Sequence, residues 1–314
     1  MTVGADQVLP IVIVGAGLAG LTCAAALRQA GHAPVVLEKS RGLGGRLATR
    51  RRQEGAYDHG AVAVSAETAA FSEFLNGAQA AGHAAAWADH GVVGLPGMSG
   101  LVAPLAVGVE VRRDCQVQSV SRYRALWRLD AGGREIHAAR LALAIPVPQA
   151  ARLLGDAAPA ELAGVEMAPS WTLMVAAMED RAEIPDDVLS PLSGLARVAR
   201  QSSKPGRAGP GVRWVVQADA SWSEAHLDQD HEVAGRALIA QFLAFTGYTV
   251  AEVNWVAHRW RYAQTLRPLG QPCWTAPGAH LWLGGDWCLG GRAEDAYTSG
   301  LALAGAILHS ESAA

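Results

Sequence analysis

The first forty residues alternate apolar and polar segments in an order that predicts a strand, a turn, a helix and a second strand. Residues 11–14 form a continuous apolar run, which is typical of a buried strand. Residues 21–30 are rich in alanine and helix-like, and residues 34–37 are again apolar. Two strands joined by a helix form a βαβ unit, so the pattern predicts a parallel sheet at this end of the chain.

The remaining pattern predicts further strands and helices. Residues 67–86 have a helical period, because Phe71, Phe74, Leu75 and Ala78 recur on one helix face. Strand-like runs cover residues 109–111, 115–120, 126–129, 141–145, 171–176, 212–217 and 281–283, and helix-like stretches cover residues 231–246 and 293–309. Gly132 and Gly133 join the run 126–129 to the one at Ile136 as a hairpin, and residues 202–211, rich in Gly and Pro, indicate a loop.

Tryptophan becomes frequent between residues 151 and 269, and this change divides the predicted fold in two. We predict an α/β protein with a Rossmann-like, discontinuous nucleotide-binding domain and an inserted α+β substrate domain that contains a mixed or antiparallel sheet. The first domain comprises residues 1–60, 97–150 and 270–314, and the second comprises residues 61–96 and 151–269. A chain of 314 residues, half of them hydrophobic, is long enough for both cores.

Composition and charge argue against several classes of function. A formal net charge of −3 predicts no basic surface for nucleic acid or anionic membranes. The four cysteines lack the spacing of a metal site, so we expect no metal, no disulfide and a cytoplasmic protein. Residues 8–27 are uncharged and of membrane-spanning length, but Pro10 and three glycines favour the strand, turn and helix. Residues 1–7 lack the Lys or Arg of a secretory leader.

A glycine-rich turn follows the first strand and carries the strongest chemical signal. Gly15, Gly17 and Gly20 form the pattern G-x-G-x-x-G around Ala16, and Glu38 ends the second strand. In the dinucleotide fingerprint, the first glycine permits a tight turn, the second lets the backbone approach a pyrophosphate, and the third brings the helix close to the strand. The helix N-terminus attracts the phosphates and the acid binds the ribose hydroxyls. The segment therefore predicts a dinucleotide site.

The segment after the second strand favours FAD over NAD as the bound nucleotide. The run from Lys39 to Arg46 contains the adjacent glycines Gly44 and Gly45, so this loop can fold back under a long cofactor. Its arginines can reach phosphate or ribityl oxygens. Far downstream, a short strand is followed by Gly285, Asp286 and a helix, an order that can place a carboxylate at a helix entrance beside a ribityl chain.

Other segments, spread over nearly the full length, extend this pattern. They are residues 41–46, 58–61, 97–101, 203–207, 258–262, 285–287 and 290–292. Together with the glycine turn they resemble the flavin-containing amine oxidase superfamily and, more narrowly, the bacterial branch of the renalase family. The resemblance implies noncovalent FAD, a backbone contact from Val117 to the adenine, and cofactor contacts from Gly60 and Ala61.

The resemblance also implies a reaction. Renalase-like enzymes oxidise the 2- or 6-dihydro isomers of NAD(P)H to NAD(P)+ by hydride transfer to flavin N5, and dioxygen then reoxidises the flavin to give hydrogen peroxide. Loss of hydride restores aromaticity to the substrate, so no general base is needed. We therefore expect a small dinucleotide substrate and dioxygen, or another electron acceptor, as partners.

Flat aromatic side chains are the expected walls of the substrate site, because the donor ring must lie against the flavin. The candidates are Trp260, Tyr262, Trp287 and Tyr297. The candidates for substrate binding are His258 and four cations that could hold a pyrophosphate: Lys204, Arg207, Arg259 and Arg261. Alternation along a strand would place His258, Trp260 and Tyr262 on one face and the two arginines on the other.

Two alternative functions stay open. A flavin amine oxidase acting on a small amine would use two aromatic walls and often a lysine near flavin N5. Tyr297 and Gly300 resemble the Tyr-x-x-Gly step of that class, but Lys39 and Lys204 are the only lysines in the chain. A non-catalytic FAD-binding sensor or scaffold would keep the cofactor motifs without a substrate pocket.

Overall fold

The structure, a computed structural model, describes residues 8–207 and 209–312. Residues 1–7, on which the expectation of no leader partly rests, lie outside this part of the chain. Packing divides the chain into two compact units: the first contains the chain up to Gly45, Val102–Glu166 and the chain from Thr265, and the second contains Arg46–Leu101 and Met167–Gln264. Among the described residues, no helix combines the length and apolarity needed to cross a bilayer.

The elements are numbered in chain order. The strands are β1 (Val8–Val14), β2 (Val35–Leu37), β3 (Arg50–Arg52), β4 (Gly55–Tyr57), β5 (Ala84–Ala86), β6 (Val92–Gly94), β7 (Glu110–Arg112), β8 (Ser119–Tyr123), β9 (Leu126–Asp130), β10 (Glu135–Leu143), β11 (Glu166–Ala177), β12 (Asp187–Leu189), β13 (Leu195–Arg200), β14 (Val212–Ala218), β15 (Val253–Arg267), β16 (Trp274–Ala276) and β17 (Leu281–Leu283). The α-helices are α1 (Leu18–Gln29), α2 (Ala69–Ala80), α3 (Val147–Leu154), α4 (Ala220–Ala225), α5 (His231–Thr246) and α6 (Ala293–Ser312).

The first unit is built on a sheet whose central strands are parallel. The strand order is β16-β17-β10-β1-β2-β7, with β9 also paired to β10 and β8 paired to β9. Strand β1 pairs in parallel with β10 on one side and with β2 on the other. Strand β2 is fully buried and apolar, as strands covered on both faces usually are. This arrangement confirms the predicted Rossmann-like α/β fold.

Strand β10 differs most from its prediction. The sequence predicts one arm of a hairpin near Ile136 and a separate strand over residues 141–145, but both segments belong to β10. The reason is that β10 has two partners along one edge. Its first half pairs antiparallel with β9, and its last three residues pair in parallel with β17. Local patterns cannot reveal a change of partner within one strand.

Helices α1 and α6 pack closely because Gly300 of α6 has no side chain. A Cβ at this position would lie 2.5 Å from the Ala19 carbonyl oxygen of α1. The contact therefore brings two regions about 280 residues apart in sequence to one place in the first unit. Both regions carry predicted cofactor motifs.

The second unit contains a sheet with the strand order β12-β13-β14-β11-β15. The pairs β12–β13, β13–β14 and β14–β11 are antiparallel, which confirms the predicted sheet type. Helix α5 contributes Leu238 and Phe242 to the core beside Trp214. Its predicted bounds are confirmed: the Asp230 side chain caps its first turn, and Gly247, with φ +72°, ends it.

The boundaries of the two compact units differ from those of the predicted domains. Residues 46–60 and 97–101 belong to the second unit rather than the first, and residues 151–166 and 265–269 belong to the first rather than the second. Long-range polar contacts explain the first change. The Asp58 carboxylate pairs with Lys204, and the Gly60 carbonyl accepts a hydrogen bond from Gln217.

Candidate functional site

The glycine turn of the first unit leaves space at its middle glycine. Gly15 has φ +104°, and a Cβ there would lie 2.5 Å from the Ala144 carbonyl oxygen. A Cβ on Gly20 would lie 2.0 Å from the Gly15 carbonyl oxygen, so this glycine lets α1 approach the turn. A Cβ on Gly17 would meet no atom within 4 Å. The first and third glycines are thus required by internal packing, whereas the second is not.

The N-terminus of α1 and the loop before it form a cradle around this space. Gly17 is the N-cap of α1, and no side chain caps the helix. The Gly44 N–H donates to the Ala16 carbonyl at 2.9 Å, and Gly44 and Gly45 have positive φ. The loop therefore folds back onto the turn, as the glycine pair predicts. The Lys39 side chain is exposed beside it.

Glu38 is buried at the end of β2, and the backbone fixes its carboxylate. One oxygen accepts the Ala16 N–H at 2.8 Å and the other accepts the Ser40 N–H at 2.7 Å. Each carboxylate oxygen can accept a further hydrogen bond. The Cys115 N–H donates to the Glu38 carbonyl at 2.9 Å, which brings residues 115–118 beside this acid. Within residues 8–207 and 209–312, no hydrogen bond is formed by the backbone of Val117.

Asp286 is also buried in the first unit, but it does not begin a long helix. The Thr265 hydroxyl donates to its carboxylate at 3.3 Å, and the Gly285 N–H donates to the Ser299 hydroxyl at 2.9 Å. The prediction placed this acid at the entrance of the last helix. Instead it begins a single 3₁₀ turn that ends at Cys288, because α6 starts only at Ala293.

The aromatic candidates of the first unit differ in exposure. Trp287 is fully buried, and its indole N–H donates to the Ile145 carbonyl at 3.0 Å. It is therefore a core residue, which corrects its prediction as a substrate wall. Tyr297 of α6 is partly exposed and keeps that prediction. The neighbouring Cys288 is buried, and burial raises the pKa of its thiol to about 12.

A buried charge cluster lies in the second unit around Asp58. Lys204 donates to the Asp58 carboxylate at 3.1 Å, and Arg207 donates to the same oxygen at 2.7 Å. The other oxygen accepts from the Thr49 hydroxyl. Burial alone would raise the pKa of the Asp58 carboxyl, but the two cations hold it below its usual value. Burial lowers the pKa of Lys204 to about 8.

This cluster corrects the prediction that Lys204 and Arg207 bind a substrate pyrophosphate. Both side chains are fully buried. Besides Asp58, the lysine donates to the Val62 carbonyl and the Gln201 amide oxygen, and Arg207 donates to backbone carbonyls. Their charges stabilise a buried carboxylate and are not presented to solvent.

Three residues predicted to contact the cofactor have structural partners in the second unit. Arg46 donates to the Ala263 carbonyl at 3.0 Å. Its own carbonyl oxygen accepts the Ala61 N–H at 2.8 Å and would lie 2.1 Å from a Cβ on Gly60. Gly60 is therefore required for close backbone packing, and the Ala61 amide is already engaged. Cofactor contacts from these residues stay predictions.

An aromatic cluster of His59, His258 and Trp260 lies in the same unit. The ring centroids are 4.5 Å apart for His258–Trp260, 4.8 Å for His59–His258 and 5.0 Å for His59–Trp260. The Trp260 indole N–H donates to the His59 carbonyl at 2.8 Å. Burial, with the nearby charge of Arg50, lowers the pKa of His59 to about 4. Burial, His59 and Arg50 lower the pKa of His258 to about 3. Both imidazoles are therefore neutral at pH 7.

The alternation predicted for β15 agrees with the observed contacts of two arginines. Arg259 donates to the Leu227 carbonyl and lies over the Trp171 ring, and Arg261 pairs with Asp228. Both contact other parts of the second unit, away from the His258 and Trp260 rings. Pyrophosphate contacts from these two arginines stay predictions. Tyr262 is partly buried and stays a candidate wall residue.

Sequence reasoning identifies neither His59, a member of this cluster, nor Arg50 as a site residue. It includes His59 only as part of a motif. A signal was available, because Arg50–Arg52 is a run of three arginines shortly before Asp58 and His59. Its meaning depends on which of the three charges are paired, and sequence does not show that.

Comparison with known proteins finds local sequence similarity around the glycine turn. Residues 13–76 match the family model described as an NAD(P)-binding Rossmann-like domain. The chain is 44% identical over 66 residues to an L-amino-acid oxidase from Siganus canaliculatus, and 49% identical over 45 residues to a 15-cis-phytoene desaturase from Synechococcus elongatus. These stretches cover 20% and 14% of this chain and 12% and 10% of those proteins. The chain thus matches only about a tenth of the length of these curated relatives.

Similarity to solved structures extends over nearly the whole chain. The structure matches a protein assigned as a protoporphyrinogen oxidase from Exiguobacterium sp. 255-15 with a TM-score of 0.72 and 14% identity, covering 98% of this chain and 99% of that one. It matches cyclohexylamine oxidase from Brevibacterium oxydans IH-35A with a TM-score of 0.70 and 13% identity, covering 98% and 100%. At this identity the matches show a shared fold. The chain therefore has the fold of these oxidases, with a Rossmann-like first unit.

Proposed function

We propose that the chain binds FAD noncovalently in its first unit and acts as an FAD-dependent oxidoreductase. The observation that carries the proposal is the space at Gly17, where a Cβ would meet no atom within 4 Å. At the two flanking motif glycines, Gly15 and Gly20, a Cβ would instead collide with the backbone. A middle glycine that packing does not need is suited to the close approach of a pyrophosphate. The fold shared with cyclohexylamine oxidase supports the same class.

Four features of the first unit would hold the cofactor. The amides at the start of α1 would bind the pyrophosphate, and Glu38 would accept hydrogen bonds from the adenosine ribose. The Val117 backbone would contact the adenine, and Asp286 would bind the ribityl chain. When bound, FAD supplies a two-electron acceptor that takes hydride from a substrate and passes the electrons to dioxygen, giving hydrogen peroxide.

As the electron donor we propose a 2- or 6-dihydro isomer of NAD(P)H. Such a donor becomes an aromatic pyridinium when it loses hydride, so the protein has no proton to remove. The neutral imidazoles of His59 and His258 suit this requirement, because their low pKa values make them weak bases at pH 7. The residues of the second unit would then orient the donor rather than exchange protons with it.

A flavin amine oxidase is the second candidate, because cyclohexylamine oxidase shares the fold. In that case Trp260 and Tyr262 of the second unit would supply aromatic walls. The lysine that such enzymes often keep near the flavin is difficult to assign here. An ammonium has three N–H donors, and Asp58, Val62 and Gln201 accept all three from Lys204. This observation favours the dihydronicotinamide donor.

Anaerobic titration of the FAD-loaded protein separates these functions. Loss of flavin absorbance is recorded after addition of 2-dihydroNAD, 6-dihydroNAD or a panel of small amines that includes cyclohexylamine. We expect bleaching by a dihydronicotinamide and none by the amines. Bleaching by amines alone would replace the proposal with the amine oxidase. A flavin reduced by dithionite but by none of these donors would indicate a sensor or scaffold.

The Trp260→Ala variant tests the predicted wall within the same assay. We expect slower flavin reduction with little change in FAD content, because the tryptophan is proposed to contact substrate. Trp260→Phe is the control, since it keeps a flat ring but loses the hydrogen bond to His59. An unchanged reduction rate in Trp260→Ala would remove this residue from the substrate site.

A further inference from the structure

Most cationic side chains of the second unit already have partners. Lys204 and Arg207 pair with Asp58, and carboxylates also pair with Arg52, Arg181, Arg197, Arg200, Arg236 and Arg261. Backbone carbonyls accept hydrogen bonds from Arg46, Arg213 and Arg259. Among the described residues of this unit, Arg50 and Arg51 have side chains with no ion pair and no hydrogen bond.

Arg50 lies beside the aromatic cluster. It is the first residue of β3 and is paired with Tyr57 of β4, two residues before His59. Its side chain is exposed. Its charge also contributes to the lowered pKa of both His59 and His258. Arg51 follows in the same strand, and alternation directs it to the opposite face of the hairpin.

The charges around this cluster favour an anion. Both imidazoles are neutral at pH 7 and Trp260 carries no charge. Asp58, the acid whose charge acts on His59, is fully buried and paired with two cations. His231 also lowers the pKa of His258. A histidine side chain is either neutral or cationic, so it adds no negative charge. Among the groups named here, the exposed charge is the guanidinium of Arg50.

We infer that Arg50 binds a phosphate group of the substrate, while Trp260 and the two neutral histidines contact a flat ring of the same nucleotide. This inference rests on the proposed function and deepens it, because it selects a phosphorylated donor. A guanidinium binds phosphate through two parallel N–H···O bonds and repels an ammonium ion. The same residue therefore favours a dinucleotide and disfavours a small amine.

The test compares Arg50→Gln with Arg51→Gln in the FAD-loaded protein. The two variants remove one exposed charge each from neighbouring positions of one strand. The half-saturating concentration for anaerobic flavin reduction is measured with 2-dihydroNAD and with the corresponding dihydronicotinamide riboside, which has no phosphate. We expect Arg50→Gln to raise this concentration about three- to tenfold for the dinucleotide, as for a partly exposed charged hydrogen bond, and to leave the riboside unaffected. Arg51→Gln should match the parent with both donors.

Arg50→Lys gives a further check, because it keeps the charge but loses the bidentate geometry. Arg50→Lys should recover part of the preference for the dinucleotide over the riboside, measured as the ratio of their half-saturating concentrations. Added salt should reduce that preference in the parent. The inference would be overturned if Arg50→Gln and the parent had equal half-saturating concentrations for the dinucleotide. It would also be overturned if the variant raised this concentration equally for the riboside.

A binding readout separates this inference from the proposed reaction. Calorimetric titration with NAD+ requires no flavin reduction. If no dihydronicotinamide bleaches the parent, the proposed reaction fails, yet weaker NAD+ binding by Arg50→Gln than by Arg51→Gln still supports the phosphate site. Equal NAD+ binding by the two variants, or no binding by the parent, contradicts it.

Discussion

Replacement of His258 by glutamine should flatten the acid dependence of the protein's stability. Burial, His59 and Arg50 lower the pKa of His258 to about 3, from an ordinary value of 6.5. Below pH 6.5, His258 is therefore protonated in the unfolded chain but stays neutral in the folded chain. The free energy of unfolding must then fall as the pH falls from 6.5 toward 3, whereas nothing is lost above 6.5.

The magnitude follows from this difference in pKa. Between pH 7 and pH 5, a histidine that titrates at 6.5 when unfolded and near 3 when folded lowers the free energy of unfolding by about 2 kcal/mol. His59, with a pKa of about 4, should contribute about the same amount, reduced by its coupling to His258. The variant should therefore lose about half of the histidine-dependent part of the slope.

Urea unfolding of the FAD-saturated protein at pH 7, 6 and 5 measures this slope. The control is His309→Gln, which removes an exposed histidine of α6 and should follow the parent. Glutamine lowers stability at every pH by a constant amount, so the difference between pH values isolates the proton linkage. An identical slope for His258→Gln and the parent would show that this imidazole is not held neutral by its surroundings.

Three further predictions concern the cradle and the buried charges. Gly17→Ala should keep the melting temperature of the FAD-free chain but lose FAD affinity, because its Cβ enters open space. Gly20→Ala should instead unfold at lower temperature, because its Cβ meets the Gly15 carbonyl. Equal effects of the two variants on melting temperature and on FAD affinity would contradict the packing argument. Glu38→Ala should raise the dissociation constant for FAD about 10- to 100-fold, measured by flavin fluorescence, and undiminished retention would refute the ribose assignment. Asp58→Ala should destabilise the chain by about 3–5 kcal/mol in urea unfolding, because it leaves two buried cations unpaired, and a loss below about 1 kcal/mol would contradict this.

The sequence predicts local features well where one strong local signal specifies them. Helix α5 occupies its predicted range because an aspartate caps its start and Gly247 ends it. The glycine turn and the loop at Gly44 follow from backbone freedom that only glycine has. The alternation along β15 correctly separates His258 and Trp260 from the two arginines.

Long-range pairing explains most of the errors. Lys204 lies in a loop rich in Gly and Pro, so its sequence context indicates an exposed charge, yet it pairs with Asp58, 146 residues away. Trp287 follows a predicted cofactor segment but donates to a carbonyl 142 residues away and is buried. The value of Arg50 as a candidate depends on the pairing of every other cation in its unit. Such information exists only once the chain is folded.

Whether the first unit binds FAD is the most direct test of the account. The purified protein is incubated with FAD and separated from free flavin by gel filtration. The visible spectrum is then recorded before and after acid precipitation. We predict a yellow protein whose flavin appears in the acid supernatant, as noncovalent binding requires. A folded protein, verified by circular dichroism, that stays colourless after this treatment would show that the first unit does not bind FAD.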